Sequence, residues 1–276
     1  MSSQKTRAER SAARRSATSA DAFLGGRIEI VQPRTGHRAG SDAVFLAAAV
    51  PAKAGEHVLD VGSGVGVAGL CLLARVPRLE VTAVEIDEAL CALAAANAER
   101  NGMSARYRVV NADIAGSAKS QREAGLLREG YDHIIANPPF YAAGKVRAAP
   151  DEARARAHVM GQDALGAWVH AAARYAAPKG RLTLIHRPEA LRELLGLLEG
   201  RFGEVTVFPL FAKPGEPATR IIVQGRKGSR AEIRLLPGLR LHASDGSYTE
   251  EAEAVLRGGA PLSLNSDERK GRRLGG

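Results

Sequence analysis

The sequence predicts an α/β fold: a mostly parallel sheet of seven strands, covered by helices and finished by an antiparallel hairpin. Three observations lead there. From residue 56 onward, short apolar runs alternate with helix-length segments, the pattern of repeated strand-helix-strand units. The first of these strands runs into a glycine-rich turn, and the strands after it end in acids or amides. The last two apolar runs are joined only by Phe211 to Ala218, a Pro/Gly-rich link too short for a crossover helix, so they should pair antiparallel.

Taken in order, residues 1–20 are rich in Arg and Ser and read as a disordered basic arm. Gly25-Gly26 then opens an alternating segment, Arg27 to Gln32, with the character of a strand or hairpin. Pro33 to Gly40 is turn-rich and carries Arg34, His37 and Arg38. Ser41-Asp42 cap an Ala-rich helix, Ala43 to Val50. Strands are expected at 56–61, 80–86, 106–111, 131–136, 181–186, 204–210 and 219–224. Helices are expected at about 66–76, 87–101, 118–129, 161–177 and 188–200. Ile233 to Leu241 and Thr249 to Arg257 read as a small appendage beginning at about residue 226, and 259–276 as a flexible basic tail. One domain over 21–258 therefore stands between two loose ends. Leu165, Trp168 and Tyr175, and likewise Leu191, Leu194, Leu195 and Leu198, fall at near-helical spacing; they are assigned to the core and given no chemistry.

Composition narrows the class. The 276 residues are 45% apolar, enough for a sizeable core, and the formal net charge is +9. Residues 1–20 hold five bases against one acid and residues 267–276 hold four against two, so the body carries only +3. Basic ends on a mildly basic body suit a polyanion such as nucleic acid, although a short charge run is as often a solvated tail. Cys71 and Cys91 lie in apolar, helix-like surroundings without a CxxC partner or nearby His, which fits a reducing compartment and no metal. The longest apolar run, Ala43 to Val50, is far short of a membrane span.

Two stretches carry chemistry. After Val58-Leu59-Asp60-Val61 comes Gly62-Ser63-Gly64-Val65-Gly66, where the backbone can approach a ligand closely. Gly64, Gly66 and Gly69 also spell the dinucleotide pattern GxGxxG, but there the first glycine should follow the strand at once, and Gly69 would fall inside the helix. Glu85 ends the next strand, where a carboxylate can accept both hydroxyls of a ribose; Asp113 follows the third strand and can accept from an adenine amino group. Either acid alone is as readily a solvated strand end or a helix cap. Together with Asp60 they line the edge of the sheet on which α/β proteins bind ligands.

The second stretch is Asn137-Pro138-Pro139-Phe140, at the mouth of the apolar run Tyr131 to Ala136. Two prolines remove two ladder donors and stop the strand. The corner that results offers an amide, a carbonyl with no ladder partner and an aromatic face. Asn137 and the Pro138 carbonyl can both accept from one exocyclic NH2 while Phe140 stacks on the ring. Asn-Pro-Pro is also an ordinary turn.

These residues together resemble the class I S-adenosylmethionine-dependent methyltransferases that methylate amines, with their Rossmann-like seven-stranded sheet. Within that group the chain is similar to the bacterial tRNA1(Val) adenine-N6 methyltransferases, through Gln32-Pro33, Gly36-His37-Arg38, Ser41-Asp42-Ala43 and Ala218-Thr219-Arg220 as well. His37 departs, standing where that family has an aromatic such as Tyr. The resemblance covers about 24–258. It implies S-adenosyl-L-methionine as cofactor and tRNA as partner, methylated at the adenosine immediately 3′ of the anticodon, in the cytoplasm, by a monomer or weak dimer. It further implies that Gly62, Gly64 and Gly66 border methionine and ribose, that Glu85 holds the ribose and Asp113 the adenine, and that Arg38 and Asp42 close the site. Asn137, Pro138 and Phe140 would then orient the target base, with Tyr141 to His158 as a loop over the RNA or a solvated surface segment. A protein-glutamine N5-methyltransferase, an rRNA or DNA amino-methyltransferase, and a basic RNA-binding protein on a degenerate cofactor fold are the competing readings.

Overall fold

The computed structural model describes residues 18–36, 38–139 and 165–264. Its centre is a parallel stack of β3 (His57–Val61), β4 (Glu80–Glu85), β5 (Tyr107–Asn111) and β6 (Tyr131–Ala136). β7 (Ala176–His186), β8 (Phe202–Phe211) and β9 (Ala218–Lys227) complete the order β8-β9-β7-β6-β3-β4-β5, in which β9 alone runs antiparallel to its neighbours. The expected closing hairpin is therefore β8-β9, with β9 placed between β7 and β8. Val58, Leu59, Ile134 and Ile135 are fully buried, as continuous apolar strands covered on both faces must be.

The sheet has nine strands, not seven. β10 (Arg234–Leu235) and β11 (Leu239–Arg240), from the expected appendage, both run parallel along β8. They cover what would otherwise be an open row of donors and acceptors: Leu236 N–H donates to Val207 O (2.9 Å) and Leu241 N–H to Phe211 O (2.8 Å). Two residues apiece, split by Pro237-Gly238, leave too little periodicity for a sequence pattern to reveal.

Helices α1 (Ser41–Ala49), α2 (Val67–Arg75), α3 (Glu88–Arg100), α4 (Ala118–Glu123), α5 (165–175) and α6 (Leu191–Leu198) cover the two faces, and α7 (Glu250–Leu256) packs on α1. The Asp87 carboxylate caps α3 by accepting from Ala89 and Leu90 N–H. α4 stops six residues earlier than expected because Gly125 adopts φ 89°, with Leu126 N–H donating to Gln121 O and Gly125 N–H to Arg122 O. That is a Schellman ending.

Outside the sheet, β1 (Thr18–Phe23) and β2 (Ile28–Pro33) form a separate antiparallel hairpin, so pairing begins within the stretch read as an arm. Its outer edge is held by side chains. The Asn97 amide accepts from Val31 N–H (2.8 Å) and donates to Val31 O (3.0 Å), and Asn101 does the same with Glu29 (3.0 and 2.8 Å). One turn apart, Asn97 on α3 and Asn101 at its C-cap meet alternate residues of β2 and stand in for a third strand. At the other end, Leu262 and Leu264 are buried and Leu262 N–H donates to Ala48 O (2.8 Å), so packing continues past residue 258.

Candidate active site

Register places the expected residues in a row. Val61 pairs with Val84 on one side and with Ala136 on the other, and Glu85 pairs with Asn111. Asn111, Glu85, Gly62 and Asn137 therefore occupy the C-terminal ends of four adjacent strands, about 4.8 Å apart from one strand to the next.

The turn after β3 is built for close approach. Gly62, Gly64 and Gly66 have φ of 62°, 56° and 91°, in the left-handed region where side chains are strained. A Cβ at Gly66 would lie 2.6 Å from the Tyr107 hydroxyl. Gly69 lies inside α2, where Tyr107, Val81 and Asp60 fill the space a side chain would need, so it serves packing and the turn begins at Gly62. Glu85, 8% exposed, holds this turn through its carboxylate: Oε2 accepts from Gly64 N–H (2.9 Å), and Oε1 from Ile86 and Asp87 N–H (2.9 and 3.0 Å).

Asp60 is buried below the turn, with Oδ2 accepting from Gly69 N–H (3.1 Å). Burial pushes its pKa up to about 7 and the Glu85 charge adds to the rise, while the Gly69 amide opposes it. Burial likewise raises the Tyr107 phenol, with Asp60 contributing. Asp113 is exposed, and its Oδ1 accepts from Ala115 N–H (2.8 Å), forming a local turn.

Asn137 is half-buried and Pro138 buried. The Asn137 amide makes no hydrogen bond with any described residue, in contrast to the asparagines at 97, 101 and 111. Phe140, His37 and Tyr141 to His158 lie outside the described residues. Asp42 binds Arg220 (2.7 Å), which joins two stretches of the sequence resemblance that lie 178 residues apart. Arg38 donates to Ser19 Oγ (2.9 Å), Pro33 O (2.8 Å) and Asp21 Oδ2 (2.6 Å), so its contacts are within the β1-β2 hairpin and not at the glycine turn.

Several residues of the site escaped the sequence reading. Asn97 donates to Val65 O (3.0 Å) as well as pairing with Val31, tying hairpin to glycine turn. Asn111 donates to Glu85 O and Ile86 O (3.0 Å each), fixing the end of β4. Ile86, 62% exposed, offers an apolar surface beside Glu85. Gln121, fully buried, donates to Asp113 O, Ile114 O and Gly116 O and accepts from Tyr175 OH (2.6 Å), fixing the Asp113 loop. An amide or a leucine-like side chain carries no motif, so only the strand-end position of Asn111 and Ile86 could have flagged them.

A positive-φ glycine turn, a carboxylate at the next strand end and an apolar surface beside it fit an adenosine-bearing ligand. The methyltransferase small domain family matches residues 38–210, and the chain belongs to it: a methyltransferase whose cofactor is S-adenosylmethionine. A tRNA1(Val) (adenine(37)-N6)-methyltransferase of Porphyromonas gingivalis is 31% identical over 84% of this chain and 91% of its own. One of Dickeya chrysanthemi is 27% identical over 83% and 89%. The particular family is thus that of the tRNA1(Val) (adenine(37)-N6)-methyltransferases, to which this chain belongs. Among solved structures, a predicted O-methyltransferase from Agrobacterium tumefaciens superposes with TM-score 0.69 at 30% identity, over 80% of this chain and 98% of that one.

Proposed function

We propose that this enzyme methylates N6 of an adenosine in RNA, the adenosine immediately 3′ of the anticodon in tRNA1(Val). The observation that carries the reading is the Asn137 amide at the mouth of a buried strand, next to Pro138, with no hydrogen-bond partner among the described residues. Asn137 Oδ1 and the Pro138 carbonyl accept the two N6 hydrogens, which suits an amine better than a hydroxyl. Held so, the nitrogen lone pair faces the donor side of the row and is freed from the ring as the nitrogen becomes tetrahedral. When bound, S-adenosylmethionine would supply an activated sulfonium methyl and keep the S–C electron pair as the neutral thioether, while the methylated N6 sheds one proton to water afterwards; positioning then provides much of the acceleration and no strong base is required. Glu85 accepts from the ribose hydroxyls, Asp113 from the adenine amine, and Ile86 lies against the adenine ring. The target base is splayed from the anticodon loop to reach this corner. The names of the family's members and the basic net charge support tRNA as the acceptor, the bases of both termini tracking phosphate in the cytoplasm.

The test is incubation with labelled methyl donor and separated tRNA, DNA and protein fractions, followed by nucleoside mass spectrometry. Label recovered as N6-methyladenosine from tRNA is expected. Label on protein glutamine or on DNA would move the acceptor elsewhere, and failure to bind S-adenosylmethionine in calorimetry would indicate a degenerate cofactor site.

A further inference from the structure

We infer that Trp168 is a positioning residue for methyl transfer, its indole acting as a spacer between the turn that carries the donor and the corner that carries the acceptor. The inference rests on the reading that the Asn137 corner receives the acceptor. The contact on the donor side is direct. A Cβ at Gly62 would run into Cη2 of Trp168 and stand 3.0 Å from Cζ2 and Cζ3, so the ring edge occupies the space that the first glycine of the turn leaves open. On the acceptor side, the same indole packs with Pro138, Ala136 and Val61 around a void of only about 10 Å³, room for no more than one water.

The backbone cannot set this spacing by itself. The β3-β6 ladder ends at Val61 and Ala136. Beyond it, Gly62 turns into the left-handed region, and Pro138 and Pro139 have no N–H to continue the pairing. Past the ladder, a rigid side chain with two torsions lies against Gly62 and lines the same small void as Pro138. α5 delivers it from below: Leu165, Val169 and Ala172 of the same helix are buried, whereas Trp168 stays half-buried at the crevice. A tryptophan serving the core alone has no reason to end at the first glycine of a cofactor turn.

Trp168 is the chain's one tryptophan, so its emission reports on this position alone. Titrating the wild-type enzyme with S-adenosylhomocysteine should change the emission with the same affinity that calorimetry gives, and adding tRNA to that complex should change it again. With both substrates saturating, Trp168→Leu should lower the single-turnover rate about 10²-fold, the cost of a displacement of roughly 1 Å. Cofactor affinity should stay within about threefold of wild type, and Trp168→Phe should recover a large part of the rate. Emission that ignores a cofactor shown by calorimetry to be bound overturns the inference without any variant, and so covers a Trp168→Leu protein that does not fold. A folded Trp168→Leu enzyme with a wild-type rate also overturns it, as does a loss confined to melting temperature and cofactor affinity. Should Asn137→Ala transfer methyl at the wild-type rate while the emission still answers to cofactor, the acceptor reading has failed and the spacer role falls with it.

Discussion

The two halves of the site differ in what the protein has already satisfied. On the donor side, Glu85 accepts from three backbone amides, Asn111 donates to two carbonyls, and Asn97 and Gln121 are saturated in buried positions. On the acceptor side, Asn137 bonds to no described residue. The donor half is thus preformed by its own polar network, which spares the ordering cost when cofactor binds. On the proposed acceptor side, the half-buried Asn137 amide has no partner among the described residues and stands available to a ligand.

The largest effect should come from the open side. Asn137→Ala removes one acceptor for the reacting amine and should lower single-turnover rate about 10²- to 10³-fold, with cofactor affinity nearly unchanged. A wild-type rate would make the corner a plain turn and dissolve the contrast. Next comes Glu85→Ala, which should weaken S-adenosylmethionine binding by roughly 1.5–3 kcal/mol per charge-assisted bond lost, read by calorimetry. Because Glu85 also ties Gly64, Ile86 and Asp87, amide exchange in the turn should quicken in the cofactor-free enzyme; unchanged exchange would mean that the turn holds its shape without Glu85.

The smallest effect, taken per pH unit, is a slope in stability. Asp60 in the folded chain titrates near 7 against an ordinary 3.8, so between these values the native state binds more protons than the unfolded one. Stability therefore falls as pH rises from about 4 to 7, by at most about 1.4 kcal/mol per unit from this group, and levels off above. Asp60→Asn keeps an acceptor for Gly69 N–H and should abolish that contribution. Its stability advantage over wild type, from urea melts, should grow from pH 4 to 7 and then stay constant. An advantage independent of pH would show that Asp60 is ionised throughout.

The succession of strands and the glycine turn were legible because they follow from strong periodic signals: β3 and β6 are continuous apolar runs with sharp ends, and only glycines permit the turn's backbone. The strand-end positions of Glu85 and Asn137 were legible for the same reason, since each closes a run that must be buried. What lay hidden depends on pairs distant in the chain. Asn97 reads as an ordinary polar residue of a helix until β2 lies beside it, and Trp168 as a core aromatic until Gly62 approaches. Arg38 carries a charge that suits either a ligand or an acid, and Asp21, the acid it meets, lies in a stretch read partly as an arm. Strand count failed at β10 and β11 because two-residue strands are made by their neighbour β8 and not by their own sequence.

The asparagine seam along β2 also bears on how the chain is made. A lone two-stranded hairpin is marginal in water. Asn97, which secures this one, lies 66 residues after Val31. At about 5–20 residues per second, synthesis leaves β1 and β2 waiting roughly 3–13 s for the helix that will hold them. Through that interval this pair of strands has an unguarded edge, and it is closed only when the later turns of the helix Glu88–Arg100 have formed.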